Sequence, residues 1–182
     1  VLPSIEPCPN VDVFLLDGKF VYVKVDTDEG VFGWGEAIFH GGKLTAQAAS
    51  MLGKQVIGRD PFQTDAIWTE LFNKGYRIGN TGSYVAALGA LDIAYYDIKG
   101  KALGTPIWNL LGGKYRDRVP VYSSLMARDL PPEEDVEKVQ ARVEEGYKWV
   151  KLHTGTAWSF DTGFDRTVET VKALRKHCGG PE

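Results

Sequence analysis

RVPVYSSLMARDLPPEEDVEKVQARVEEGYKWVKLHT, residues 118 to 154, decides how this chain is to be read. Its two ends, RVPVYSS (118–124) and YKWVKLHT (147–154), are rich in β-branched and aromatic residues and read as strands. Between them, PPEEDVEKVQARVEEG (131–146) opens on two prolines, carries acids in its first turn and stops at Gly146. That is the signature of a helix, and Val136, Val139 and Val143 form its apolar stripe. A second helical segment follows in FDRTVETVKALRKHCGG (164–180), with Phe164, Val168, Val171 and Cys178 on one side. Strand–helix–strand–helix implies parallel strands joined by crossover helices. Two such units in ~65 residues match the ~31 residues per unit of an eight-unit barrel of ~250 residues. Two parallel strands close nothing, and a parallel sheet needs helices on both faces or closure into a barrel. The sequence therefore reads as the front part of a longer protein.

The second strand ends on a lysine and a histidine two positions apart, Lys151 and His153, before Thr154-Gly155. Residues at i and i+2 of a strand project from one face, about 6.5–7 Å apart. Val150 and Leu152 project from the other. One face is apolar and ready to be covered; the other ends in two proton-exchanging groups. Asp161, Asp165 and Glu169 recur at i, i+4 and i+8. They read as a solvated helix face with negative charge near the helix start, since hard-cation sites draw on loops and strand ends.

Upstream, the charged run after Gly112-Gly113 marks a boundary, with one domain over residues 1–113 and another over 114–182. VDVFLLDGKFVYVKVDTDEGVFGWGEA (11–37) holds two turn signals, Asp17-Gly18 and Asp26 to Gly30, between runs of Val, Phe and Tyr. In its middle run, Val21, Val23 and Val25 alternate with Phe20, Tyr22, Lys24 and Asp26. This predicts a three-stranded antiparallel meander covered on one side. Three helices follow. The first has Leu44, Ala48, Met51 and Leu52 as its stripe, and the second takes Pro61 in its first turn and ends at Gly75. The third, from Gly82, is apolar on nearly every side and so buried. Strands followed by helices make an α+β domain. Asp92 and Asp97, on the third helix, stand about 140° apart around its axis and do not converge; Asp97 has Lys101 four residues on. GNTG (79–82) lacks the lysine of a phosphate loop.

A net charge of -3 leaves no basic excess for nucleic acid. No apolar run reaches the roughly 20 residues of a membrane span, and the opening VLPSIEPCPN has neither part of a signal segment. Cys8 and Cys178, at opposite ends, make no disulfide framework, which fits a cytoplasmic setting.

Five motifs occur in order: TDEGVFGWGEA (27–37), IGRDP (57–61), ALGALDIAYYDIKGKALGTPIWNLLGG (87–113), RDRVPVY (116–122) and GYKWVKLHTG (146–155). Together they resemble the enolase superfamily, mandelate racemase/muconate lactonizing enzyme branch, and most of all its acid-sugar dehydratases. The resemblance implies an α+β capping domain followed by the first two βα units of a modified TIM barrel. It implies removal of the proton α to a carboxylate, an enediolate stabilised by Mg²⁺, and loss of a β-hydroxyl from an acid sugar. The metal ligands it implies lie on later strands, beyond Glu182, so no metal ligand is assigned here and the 182-residue chain alone is expected to be inactive. Lys151 corresponds to the first lysine of the family's Lys-x-Lys pair, where positive charge meets a developing enolate. His153 replaces the second lysine and is read as a base or a substrate contact. His40, in the loop after the meander and next to Gly41 and Gly42, which suit a mobile lid, and Ser124, at the end of the first barrel strand, are candidate substrate contacts. The resemblance also suggests a homo-oligomer. Racemisation, epimerisation or cycloisomerisation within the superfamily, and a non-catalytic scaffold, are the alternatives.

Overall fold

A computed structural model describes residues 8–37, 42–79, 81–128, 130–153 and 165–178. They fall into two compact units, Val1–Tyr115 and Arg116–Glu182. The first unit opens with the expected meander: β1 (Asn10–Leu16), β2 (Phe20–Asp26) and β3 (Phe32–Ala37), antiparallel in that order. The register runs from Leu16 opposite Phe20 and Val13 opposite Val23 to Val23 opposite Gly35. The first turn has both central residues in the left-handed region, Asp17 at φ 49° and Gly18 at φ 65°. It closes with the Lys19 N–H on the Leu16 carbonyl at 3.0 Å. Such a turn matches the right-handed twist of the strands it joins, which is why Asp-Gly carries the signal.

Period-two alternation decides which face is covered. Val21, Val23 and Val25 are fully buried, while Phe20, Phe14 and Trp34 on the opposite face are exposed. The helices α1 (Gly42–Val56), α2 (Thr64–Lys74) and α3 (Gly82–Ala102) supply the rest of the core with Leu52, Val56, Ile67, Leu71, Leu88, Leu91, Tyr95 and Ile98. A 3₁₀ turn, Gly75–Arg77, extends α2, and a short helix, α4 (Ile107–Leu110), follows α3. Among the described residues no helix is long and apolar enough to cross a membrane.

Two expectations are corrected. The stripe of α1 is not the one centred on Leu44 and Met51, which are 66% and 43% exposed; Thr45, Ala49, Leu52, Gly53 and Val56 face inward. Close approach to β1 requires a small residue there, because a Cβ on Gly53 would lie 3.0 Å from the Val11 side chain. The second helix begins at Thr64 rather than at Pro61. The Asp60 carboxylate accepts the Phe62 N–H at 2.8 Å, folding residues 60–63 into a turn before the helix. Just upstream, Cys8 is clipped to this loop by its N–H on the Arg59 carbonyl (3.1 Å) and by the Gly58 N–H on its own carbonyl (2.8 Å). Burial, then the charges of Asp26, Asp28 and Asp60, push its thiol up to about 12. Cys178 is free and exposed.

The second unit contains β4 (Ser123–Leu125), α5 (Pro132–Glu144), β5 (Val150–Leu152) and α6 (Arg166–Cys178). The two strands are parallel neighbours. Each has three residues where the sequence suggested seven or eight. The apolar content of 118–122 and 147–149 mimics a longer strand, yet Val119, Val121 and Trp149 are exposed.

Candidate active site

In the second unit Ser123 pairs with Val150, Ser124 with Lys151 and Leu125 with Leu152. The alternation is regular: Ser123, Leu125, Val150 and Leu152 are half-buried, whereas Ser124 and Lys151 are exposed. Partner residues of a parallel pair project to the same side of strands about 4.8 Å apart. The structure thus brings a hydroxyl and an ammonium side by side, each on the central residue of its three-residue strand. An ammonium there attracts a carboxylate, and a hydroxyl can donate to it or accept from a neighbouring sugar hydroxyl. The Ser124 hydroxyl contacts the thioether of Met126, Oγ to Sδ 3.7 Å.

His153 stands one residue past β5 and is half-buried. Its Nε2 is sealed from solvent and has no hydrogen-bond partner among the described residues. Lys151 and His153 therefore meet different surroundings, one open and one partly enclosed. His40 lies outside the described residues, as do Asp161 and Phe164. An open cavity of about 600 Å³ lined by Val119, Val121, Tyr147, Lys148 and Trp149 belongs to the opposite, entry ends of the strands, away from Ser124 and Lys151.

Other acidic residues have structural work. Asp165 accepts the Val168 N–H at 3.2 Å at the start of α6, and Glu169 pairs with Lys172 at 2.8 Å on the surface. Asp97 accepts the Trp34 N–H at 2.9 Å and the Lys101 ammonium at 2.7 Å; Lys101 also donates to the Phe32 carbonyl at 2.8 Å. Lys99 donates to the Thr64 hydroxyl at 2.6 Å, tying α3 to α2. Among the described residues no three His, Cys, Asp or Glu side chains form a set able to hold a metal ion. The residues described do not fit a magnesium site.

One arrangement had no sequence signal. Arg166, the first residue of α6, donates through Nε to the Leu130 carbonyl at 2.6 Å and through Nη2 to Asp135 Oδ2 at 2.5 Å. The two side chains are only 12% and 2% exposed. Asp135 sits among the first-turn acids of α5 and is indistinguishable there from its solvated neighbours.

The model of the mandelate racemase/muconate lactonizing enzyme N-terminal domain matches residues 15–112. A D-galactonate dehydratase of Cronobacter sakazakii is 38% identical over 174 residues, which are 93% of this chain and 45% of that protein. The crystal structure of an enolase-superfamily member from Salmonella Typhimurium superposes with a TM-score of 0.84 at 29% identity, over 97% of this chain and 53% of that one. A mandelate racemase/muconate lactonizing protein of Paracoccus denitrificans, complexed with magnesium, superposes with a TM-score of 0.82 at 26% identity, over 96% and 49%. The chain spans less than half the length of the curated relatives it matches.

Proposed function

The chain belongs to the mandelate racemase/muconate lactonizing enzyme family of the enolase superfamily, and from that premise we propose that the complete protein dehydrates an acid sugar. The bond from hydrogen to the carbon α to the carboxylate breaks, the β-hydroxyl departs as water, and the enol tautomerises to a 2-oxo-3-deoxy acid. The observation that carries this reading is the exposed Ser124–Lys151 pair on the neighbouring parallel strands β4 and β5, one residue short of their carboxyl ends, the end where barrel enzymes place reacting groups.

In this reading Lys151 supplies fixed positive charge beside the carboxylate where negative charge grows, which lowers the barrier to proton loss. His153 is the base or a contact to substrate. Ser124 is a substrate contact, and His40 a contact from the capping domain. Residues 1–113 are that capping domain and 114–182 the start of the barrel. Magnesium is the proposed cofactor of the complete protein, held by groups other than the described residues, and a homo-oligomer in the cytoplasm is its proposed state.

The test is a screen of acid sugars with the complete protein and Mg²⁺, followed by Lys151→Ala on the best substrate. Loss of fixed charge at a developing enolate is expected to lower kcat about a hundredfold or more. Near-parental turnover by this variant would end the assignment. Exchange of the substrate α-proton with solvent, without release of water, would instead move the protein to the racemising or epimerising part of the family.

A further inference from the structure

Among the described residues of the second unit, the buried ones are Asp135, Val136, Val139 and Thr170. Two of these four are polar, Asp135 and Thr170, and they lie where α5 and α6 begin. Leu130 lies on the connection from β4 to α5. Arg166 begins α6, the helix that follows β5. The bonds from Arg166 to the Leu130 carbonyl and to Asp135 thus tie the start of α6 to the β4–α5 connection and to the first turn of α5, the elements that follow the strands carrying Ser124 and Lys151.

Stability alone does not account for this pair. A carboxylate in the first turn of α5 is favoured by the helix dipole, but a cation at the first residue of α6 is opposed by it. Taking both charges out of water costs about what their attraction returns, so an apolar pair of similar volume serves stability as well or better. The guanidinium Nη1 and, four residues on, the Thr170 hydroxyl are also buried without partners among the described residues, which a cluster built only for stability would avoid. What a buried, hydrogen-bonded ion pair offers instead is one permitted geometry.

We propose that Arg166 and Asp135 are positioning residues, a staple that holds the starts of α5 and α6 in register so that Ser124 stays beside Lys151, with His153 just past the same strand. The proposal rests on reading those three residues as an active site. In the complete protein the double substitution Arg166→Met/Asp135→Leu replaces the pair by apolar side chains of similar size. Tm is expected to stay within a few degrees of the parent while kcat falls about tenfold or more with little change in KM. Arg166→Lys, which keeps the charge but cannot reach both acceptors, is expected to fall between. Should the double variant fail to fold, the lysine variant decides the matter. A kcat within twofold of the parent, or a loss that follows Tm and disappears at lower assay temperature, overturns the proposal. If the parent turns over no acid sugar, the active-site reading fails separately, and the staple is then read by NMR on the 182-residue chain. Displaced Ser124, Lys151 and His153 resonances in the double variant support it; unmoved ones refute it.

Discussion

Asp92 shows at the scale of one residue how position on α3 separates two carboxylates that look alike in sequence. Asp97 is hydrogen-bonded to the Trp34 N–H and paired with Lys101. Asp92 is half-buried, and burial pushes its carboxyl above the usual range; Lys99 pulls it back and Asp65 raises it further. A carboxyl raised on folding contributes stability that is complete below its unfolded value, ~3.9, and is lost as pH rises through the folded one. At neutral pH its ionised form therefore opposes folding. Asp92→Asn is expected to raise Tm by about 1–3 °C at pH 7, and the gain should vanish as the pH is lowered toward about 4. Thermal melts across that range check the sign; a variant less stable at pH 7 would show that the pull of Lys99 outweighs burial. The sequence made the divergence of the two carboxylates legible through helical periodicity. It did not reveal Asp97 as the acceptor for an edge-strand N–H, because the two groups are 63 residues apart.

At the scale of elements, the contact between β3 and α3 organises the first unit. Gly33 and Gly35 face α3 so closely that a Cβ on either would overlap the carbonyl oxygens of Ala94 and Ala90. The FGWGEA strand and the ALGALDIA helix are thus two halves of one glycine-on-alanine seam, and Asp97 and Lys101 close the exposed edge of β3 just beyond it. Sealing an edge with charged side chains also denies it to a stray strand. Gly35→Ala is expected to cost about 2 kcal/mol or more and to lower Tm by roughly 10 °C, since neither backbone can retreat without disturbing the core. Gly89→Ala on the same helix, where a Cβ meets nothing within 4 Å, is the control and should stabilise through helix propensity. Equal Tm values for the two variants would refute the close approach. The glycines were visible in the sequence as a motif, but their reason was not, because it lies on another element.

For the whole molecule the two units differ in how much they bury. The first encloses a continuous apolar core from Cys8 to Ile98. Among the described residues of the second, only Val136 and Val139 are buried apolar side chains, and Tyr122, Val143, Trp149, Val168 and Val171 remain exposed. A fragment of residues 1–115 is therefore expected to unfold cooperatively on its own, whereas residues 116–182 alone should give no cooperative melt. Circular dichroism on the two fragments tests this, and a sharp transition in the second would contradict it. The sequence by itself determined the local elements: the Asp-Gly hairpin, the valine face of β2, the existence and order of the helices and the strand–helix alternation. Each of these is dictated by backbone preference and periodicity over a few neighbouring residues. Only the tertiary structure decided which face of α1 turns inward, that β4 and β5 pair over three residues each, that Ser124 lies beside Lys151, and that Arg166 reaches Asp135. These depend on distances between groups far apart in the chain, where van der Waals contact and the need to satisfy buried charge select among patterns that local sequence leaves equivalent.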